Sequence, residues 1–103
     1  MSDVLIRIKR AILAGRYAFS EKAQLELDAD GLTELDAIES ILNAVAIYKK
    51  LRSTSPMRKQ SKEYLYVIQS TNLDGLPIYT KGKLVREGGQ DTYYFLISSK
   101  RGQ

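Results

Sequence analysis

The chain has 103 residues, no cysteine, no histidine and a formal net charge of +4. That length fits one domain spanning residues 1–103. The missing residue types exclude a disulfide framework, a thiolate metal site and catalysis by a histidine-containing triad, so any chemistry falls to Lys, Arg, Tyr, Ser, Thr, Asp or Glu.

Residues 2–15, SDVLIRIKRAILAG, predict a helix. Ser2 or Asp3 caps it, Val4, Leu5, Ile8 and Ile12 form its apolar stripe, and Gly15 ends it. Arg7, Lys9 and Arg10 interrupt that stretch, so it does not read as a signal peptide. RYAF, residues 16–19, reads as a short extended segment. SEKAQLELDADG, residues 20–31, predicts a second helix with Ser20 as N-cap, Ala23, Leu25 and Leu27 inside, and Gly31 at its stop. LTELDAIESILNA, residues 32–44, predicts a third, with Thr33 and Asp36 at capping-box spacing and Leu35, Ile38, Ile41 and Leu42 on its buried face.

From there the hydrophobic period drops to two. VAIYKKLRS, residues 45–53, reads as the first long strand, with Val45, Ile47 and Leu51 on one face broken by Lys49. STSPMRKQSK reads as a mobile polar loop, EYLYVIQST as a strand and NLDG as a turn. LPIYTKGKLVR and TYYFLISSK read as two more strands joined by EGGQD, a long hairpin. The sum is an α+β domain whose N-terminal helices pack on one face of a mainly antiparallel sheet of about four strands. No apolar run is long enough to span a bilayer, so a cytoplasmic protein with no membrane role is expected.

Charge divides along the same line. Residues 1–44 hold five Lys/Arg against eight Asp/Glu (−3), and residues 45–103 hold eleven against four (+7). A basic sheet fits a polyanion. It also fits a plainer reading, in which lysines keep an exposed sheet soluble and its edges unpaired. ELDADGLTELDA starts like a calcium loop, but Ala37 stands where a bidentate Glu is required. GKL lacks the upstream glycine of a P-loop, and REGGQD lacks the spaced glycines of a dinucleotide fingerprint.

What remains is a set of Lys, Arg and Tyr on neighbouring strands. IYTKGKLV, residues 78–85, alternates between a core face and a face with Tyr79, Lys81 and Lys83. Ile78, Gly82 and Leu84 are expected opposite Tyr93, Phe95 and Ile97. That register leaves Tyr94, Leu96, Ser98 and Lys100 on the lysine face, with Lys100 across from Tyr79, and a one-residue slip would move Lys100 away. Such a patch suits RNA cleavage, in which the 2′-hydroxyl attacks the adjacent phosphorus. Lysine offsets phosphoryl charge or takes a proton, and tyrosine bonds the phosphate or stacks on a base. Tyr64, Tyr66, Tyr93 and Tyr94 also read as ordinary strand filler. Tyr79 and Lys49 fit that reading less well.

Several short strings resemble the MqsR-type messenger-RNA interferases, bacterial toxins with a RelE-like fold. AGRYAFSEKA and DGLTELDAIESIL are similar to the family's N-terminal half. IYKKLRSTS resembles its Tyr-Lys strand, GLPIYTKGKLV its Gly…Tyr-x-Lys strand, and YYFLISSKR its C-terminal strand. The resemblance runs from about Ile8 to Arg101. It implies a metal-independent ribonuclease toxin of a type II toxin–antitoxin pair, without cofactor. Lys49, Tyr79 and Lys100 would be catalytic, with Arg52, Arg58, Lys81, Lys83 and Arg101 binding RNA. Its implied partners are messenger RNA and a cognate antitoxin protein, and a homodimer is compatible with it. The family's further catalytic glutamine has no counterpart in register: Gln60 and Gln69 both sit off it, and Glu63 is nearest. A non-catalytic RNA- or protein-binding module on the same fold is the alternative.

Overall fold

The computed structural model describes residues 3–52, 63–87 and 90–103. The expected mobile loop over 53–62, Ser2 as a cap and the hairpin glycines Gly88 and Gly89 lie outside the described residues. The elements are α1 (Asp3–Leu13), β1 (Tyr17–Phe19), α2 (Glu21–Ala29), α3 (Glu34–Asn43), β2 (Lys49–Arg52), β3 (Tyr64–Thr71), β4 (Pro77–Glu87) and β5 (Gln90–Arg101). The class is α+β, with the helices first. The strands form one five-stranded sheet in the order β1-β5-β4-β3-β2. β2 to β5 are an antiparallel meander, and the extended RYAF segment supplies a fifth strand parallel to β5. Among the described residues no helix is long and apolar enough to cross a membrane.

The helices form where local signals and burial agree. α1 buries Leu5, Ile8, Ala11 and Ile12, a spacing that makes one stripe. Gly15 stops it at φ +74°, where a side chain is strained. The Ser20 hydroxyl accepts from the Ala23 N–H at 3.0 Å and so starts α2. Thr33 and Asp36 form the predicted capping box, with the Thr33 N–H donating to Asp36 Oδ2 at 2.8 Å. The Lys9 ammonium donates to the carbonyls of Leu42, at 2.9 Å, and Ala44, at 2.6 Å, and places a cation at the C-terminal end of α3.

The helices share one face of the sheet. Leu5, Ile8, Ile12, Ile38 and Ile41 meet Tyr66, Ile68, Tyr94 and Leu96 in one core cluster. A smaller one joins Leu27, Leu32, Ala37 and Ile78. Each fully buried Leu or Ile stabilises the fold by about 1.5–3 kcal/mol. Leu25 and Leu35, expected inside, are 60% and 62% exposed. Each lies two residues from a buried position, Ala23 or Ala37, which on a helix is nearly the opposite side. The strand expected from residue 45 begins at Lys49 instead, and Val45 is exposed. The chain must first turn from α3 towards the sheet. Ile47 joins the main cluster from that turn rather than from a strand face shared with Val45 and Leu51.

Gly82 sits in the middle of β4 because of Tyr94. A Cβ there would lie 2.6 Å from Tyr94 Cζ and 2.8 Å from the Phe95 carbonyl oxygen. The ring lies across the glycine and is fully buried. Burial pushes the Tyr94 phenol pKa far up, so it stays neutral.

Candidate nucleic-acid interface

β5 changes phase along its length. From Tyr93 to Leu96 its even-numbered residues face the helices: Tyr94 and Leu96 are fully buried in the main cluster. Gly82 pairs with Leu96, but Lys81 pairs with Ser98, so Ile97 is an extra, bulged residue. Beyond it the odd-numbered residues take the helix side, and Ser99 pairs with buried Thr80. The expected parity for Tyr93–Ile97 is therefore reversed: Phe95 turns outward and Tyr94 inward. Lys100 still pairs with Tyr79. The bulge returns it to the face that a uniform register had assigned.

Ser20 holds that bulge. Its N–H donates to the Leu96 carbonyl at 2.9 Å, and its hydroxyl donates to the Ile97 carbonyl at 2.9 Å while capping α2. Past this point β1 has ended and α2 covers the edge of β5. Glu26 Oε1 accepts from the Ser98 hydroxyl at 2.7 Å and the Ser99 N–H at 3.2 Å. One turn on, Asp30 accepts from the Arg101 N–H at 2.8 Å. These two carboxylates satisfy edge amides that would otherwise invite another strand. Among the described residues no three acidic side chains gather as a metal site.

On the face away from the helices, two rows cross the sheet. One runs Gln69, Tyr79, Lys100 in direct register, and the next runs Lys49, Val67, Lys81, Ser98. The Lys100 ammonium lies 5.3 Å from the centre of the Tyr79 ring, a cation–π contact. Lys100 and Lys49 are exposed, and Tyr79 and Lys81 are half-buried. Tyr79, Lys81 and Lys100 are thus brought together. Lys49 is not: it stands three strands from Lys100, about 14 Å across the sheet.

The other expected RNA contacts scatter. Lys83 is on the open face, but its ammonium is 3.4 Å from Glu63 Oε1. Arg52 pairs with Tyr64 and Arg101 with Ile78, which turns both towards the helix side. Lys50 shares that side, 4.1 Å over the Tyr64 ring. Arg58 lies outside the described residues. Gln69 was set aside by strand register in the sequence, yet it is the direct partner of Tyr79. Its signal was the alternation of YLYVIQST, which puts Gln69 on the face opposite buried Ile68 and Tyr66.

Comparison with family models, with curated proteins and with solved structures finds no match to this chain.

Proposed function

We propose that the open face of the sheet binds RNA and cleaves it without a metal, and that the protein is a cytoplasmic messenger-RNA-cleaving toxin neutralised by a cognate antitoxin. The observation that carries the catalytic part is the row Gln69–Tyr79–Lys100, with Lys81 in the adjacent row and, among the described residues, no helix above them. The toxin and antitoxin assignment rests on the resemblance of the strings around Lys49, Tyr79 and Lys100 alone.

The chemistry divides as follows. The 2′-oxygen bonds to phosphorus as the phosphorus–O5′ bond breaks, leaving a 2′,3′-cyclic phosphate and a 5′-hydroxyl. Lys81 and Lys100 offset charge growing on the phosphoryl oxygens. The Tyr79 hydroxyl donates to one of those oxygens, and the Gln69 side-chain carbonyl orients the 2′-hydroxyl, whose proton passes to solvent water as the 2′-oxygen bonds to phosphorus. The Lys100 ammonium supplies the proton that the leaving O5′ takes up. Lys49 is too far to join them and instead holds the strand's backbone by charge.

The test is purified protein with single-stranded RNA in the presence of a chelator. Wild type is expected to cut, and Lys100→Ala to lose about 100-fold or more in rate. Tyr79→Phe should fall between the two. Uncut RNA with wild type, or full activity in a folded Lys100→Ala, would overturn catalysis. RNA affinity that falls steeply with salt, without cleavage, would favour the second reading, a non-catalytic RNA-binding module. Growth arrest on expression, relieved by a co-expressed neighbouring acidic protein, tests the toxin assignment separately.

A further inference from the structure

Beside the cationic rows the open face turns apolar. Leu51 pairs with Leu65, Val85 pairs with Tyr93, and Phe95 lies between Ala18 and Lys83. Leu51, Leu65, Val85, Tyr93 and Phe95 are all half-buried, and none belongs to either core cluster. An aromatic ring outside the core, on the sheet face that no described helix covers, needs an explanation other than packing.

Its two neighbours leave Phe95 open. Ala18 offers only a methyl group on one flank. Lys83, on the other, is drawn to Glu63, which precedes β3 on the far side of β4 from β5. The ion pair both leans the lysine away from the ring and neutralises it. The Ile97 bulge separates Phe95 from Ser98 and Lys100, yet all three belong to the same face. An aromatic platform therefore adjoins a cationic row along one strand.

We propose that Phe95 is a stacking platform for an unpaired base next to the phosphate held at Tyr79, Lys81 and Lys100. The inference rests on the RNA reading above and extends it to a substrate class, the unpaired strand, because a base inside a duplex has no free π-face to offer. Charge complementarity selects a polynucleotide as the occupant: Lys49, Lys81 and Lys100 stand on this face in the two rows beyond Phe95, and the acid described on it, Glu63, is already paired with Lys83. Stacking on an aromatic beside a basic groove is how unpaired strands are held without base-specific hydrogen bonds.

The experiment uses two fluorescent octamers that cannot be cut, 2′-O-methyl RNA and its abasic counterpart, in equilibrium binding at fixed moderate salt. Phe95→Leu keeps an apolar side chain of similar size, and Phe95→Tyr restores the ring. Phe95→Leu is expected to weaken the base-bearing octamer about ten-fold and to leave the abasic one unchanged, with Phe95→Tyr close to wild type. Lys100→Ala should weaken both probes alike. Equal binding of both octamers by wild type, or wild-type affinity in Phe95→Leu, overturns the platform while the RNA reading stands. Failure of wild type to bind either octamer overturns both, and leaves the apolar row to a protein partner.

Discussion

The two faces of the sheet are built from the same strands under different rules. On the helix side, Tyr94 and Leu96 are fully buried in the cluster of Leu5, Ile8, Ile12, Ile38, Ile41, Tyr66 and Ile68. On the open side, Phe95, between Tyr94 and Leu96, and Lys100, four residues beyond Leu96, answer to no packing partner among the described helices. The helix side therefore determines stability, and the open side is free to determine chemistry. Where the two sides conflict, the helix side wins. Gly82 lies between Lys81 and Lys83 because a ring on the other face needs the space.

That contrast is broken most strongly on the helix side. Leu96→Ala is expected to cost about 2–5 kcal/mol in denaturant unfolding, against less than about 0.5 kcal/mol for exposed Lys100→Ala. Equal losses would mean that the open face is also packed. Gly82→Ala comes next, at about 1–3 kcal/mol, because the obstructing atoms are a buried ring and a backbone carbonyl rather than a flexible tip. Its melting temperature reads this directly. Ser20→Ala removes a helix cap and the donor to the Ile97 carbonyl, for about 1–2 kcal/mol. It should also lower RNA cleavage, although Ser20 lies off the open face, and unchanged cleavage would show that the bulge holds without it.

The smallest effect belongs to neither face. Backbone and side-chain bonds from Thr33, with a further one from Asn72, hold the Asp36 pKa below its ordinary value despite some desolvation. A carboxyl depressed in the folded state adds stability that is present above the unfolded value, near pH 4, and is lost as pH falls through the folded one. Asp36→Asn should therefore flatten the acid limb of a stability–pH curve and leave RNA affinity alone. An acid limb as steep as that of wild type would remove Asp36 from the account.

Much of this was legible in the sequence because the signals are local. The Thr33–Asp36 box, the Ser20 cap, the Gly15 stop and the stripe of α1 depend on residues within one or two turns of each other. So does the change from helical to alternating pattern that separates the layers. The phase of β5 was not legible. Tyr94 and Phe95 are both large aromatics, and which of them faces inward depends on Gly82, twelve residues earlier in the chain. β1 was hidden for a similar reason: three residues carry no period, and only β5 gives them a partner. In the candidate site, Tyr79 opposite Lys100 was anticipated. The direct partnership of Gln69 with Tyr79 needed the pairing of β3 with β4, and the distance of Lys49 needed the strand order.

From Tyr93 onward β5 behaves as two wave trains of alternation joined by a half-period slip at Ile97. Were Ile97 instead paired in regular register opposite Lys81, the trains would fall into step and everything downstream would invert. Lys100 would fall out of line with Tyr79, and the preceding residue, Ser99, would arrive in its stead. The reach of the strand would hardly change, but the message it presents to solvent would be read one letter out of frame. One residue that itself needs no chemistry thus decides which chemistry the final turn of the chain delivers.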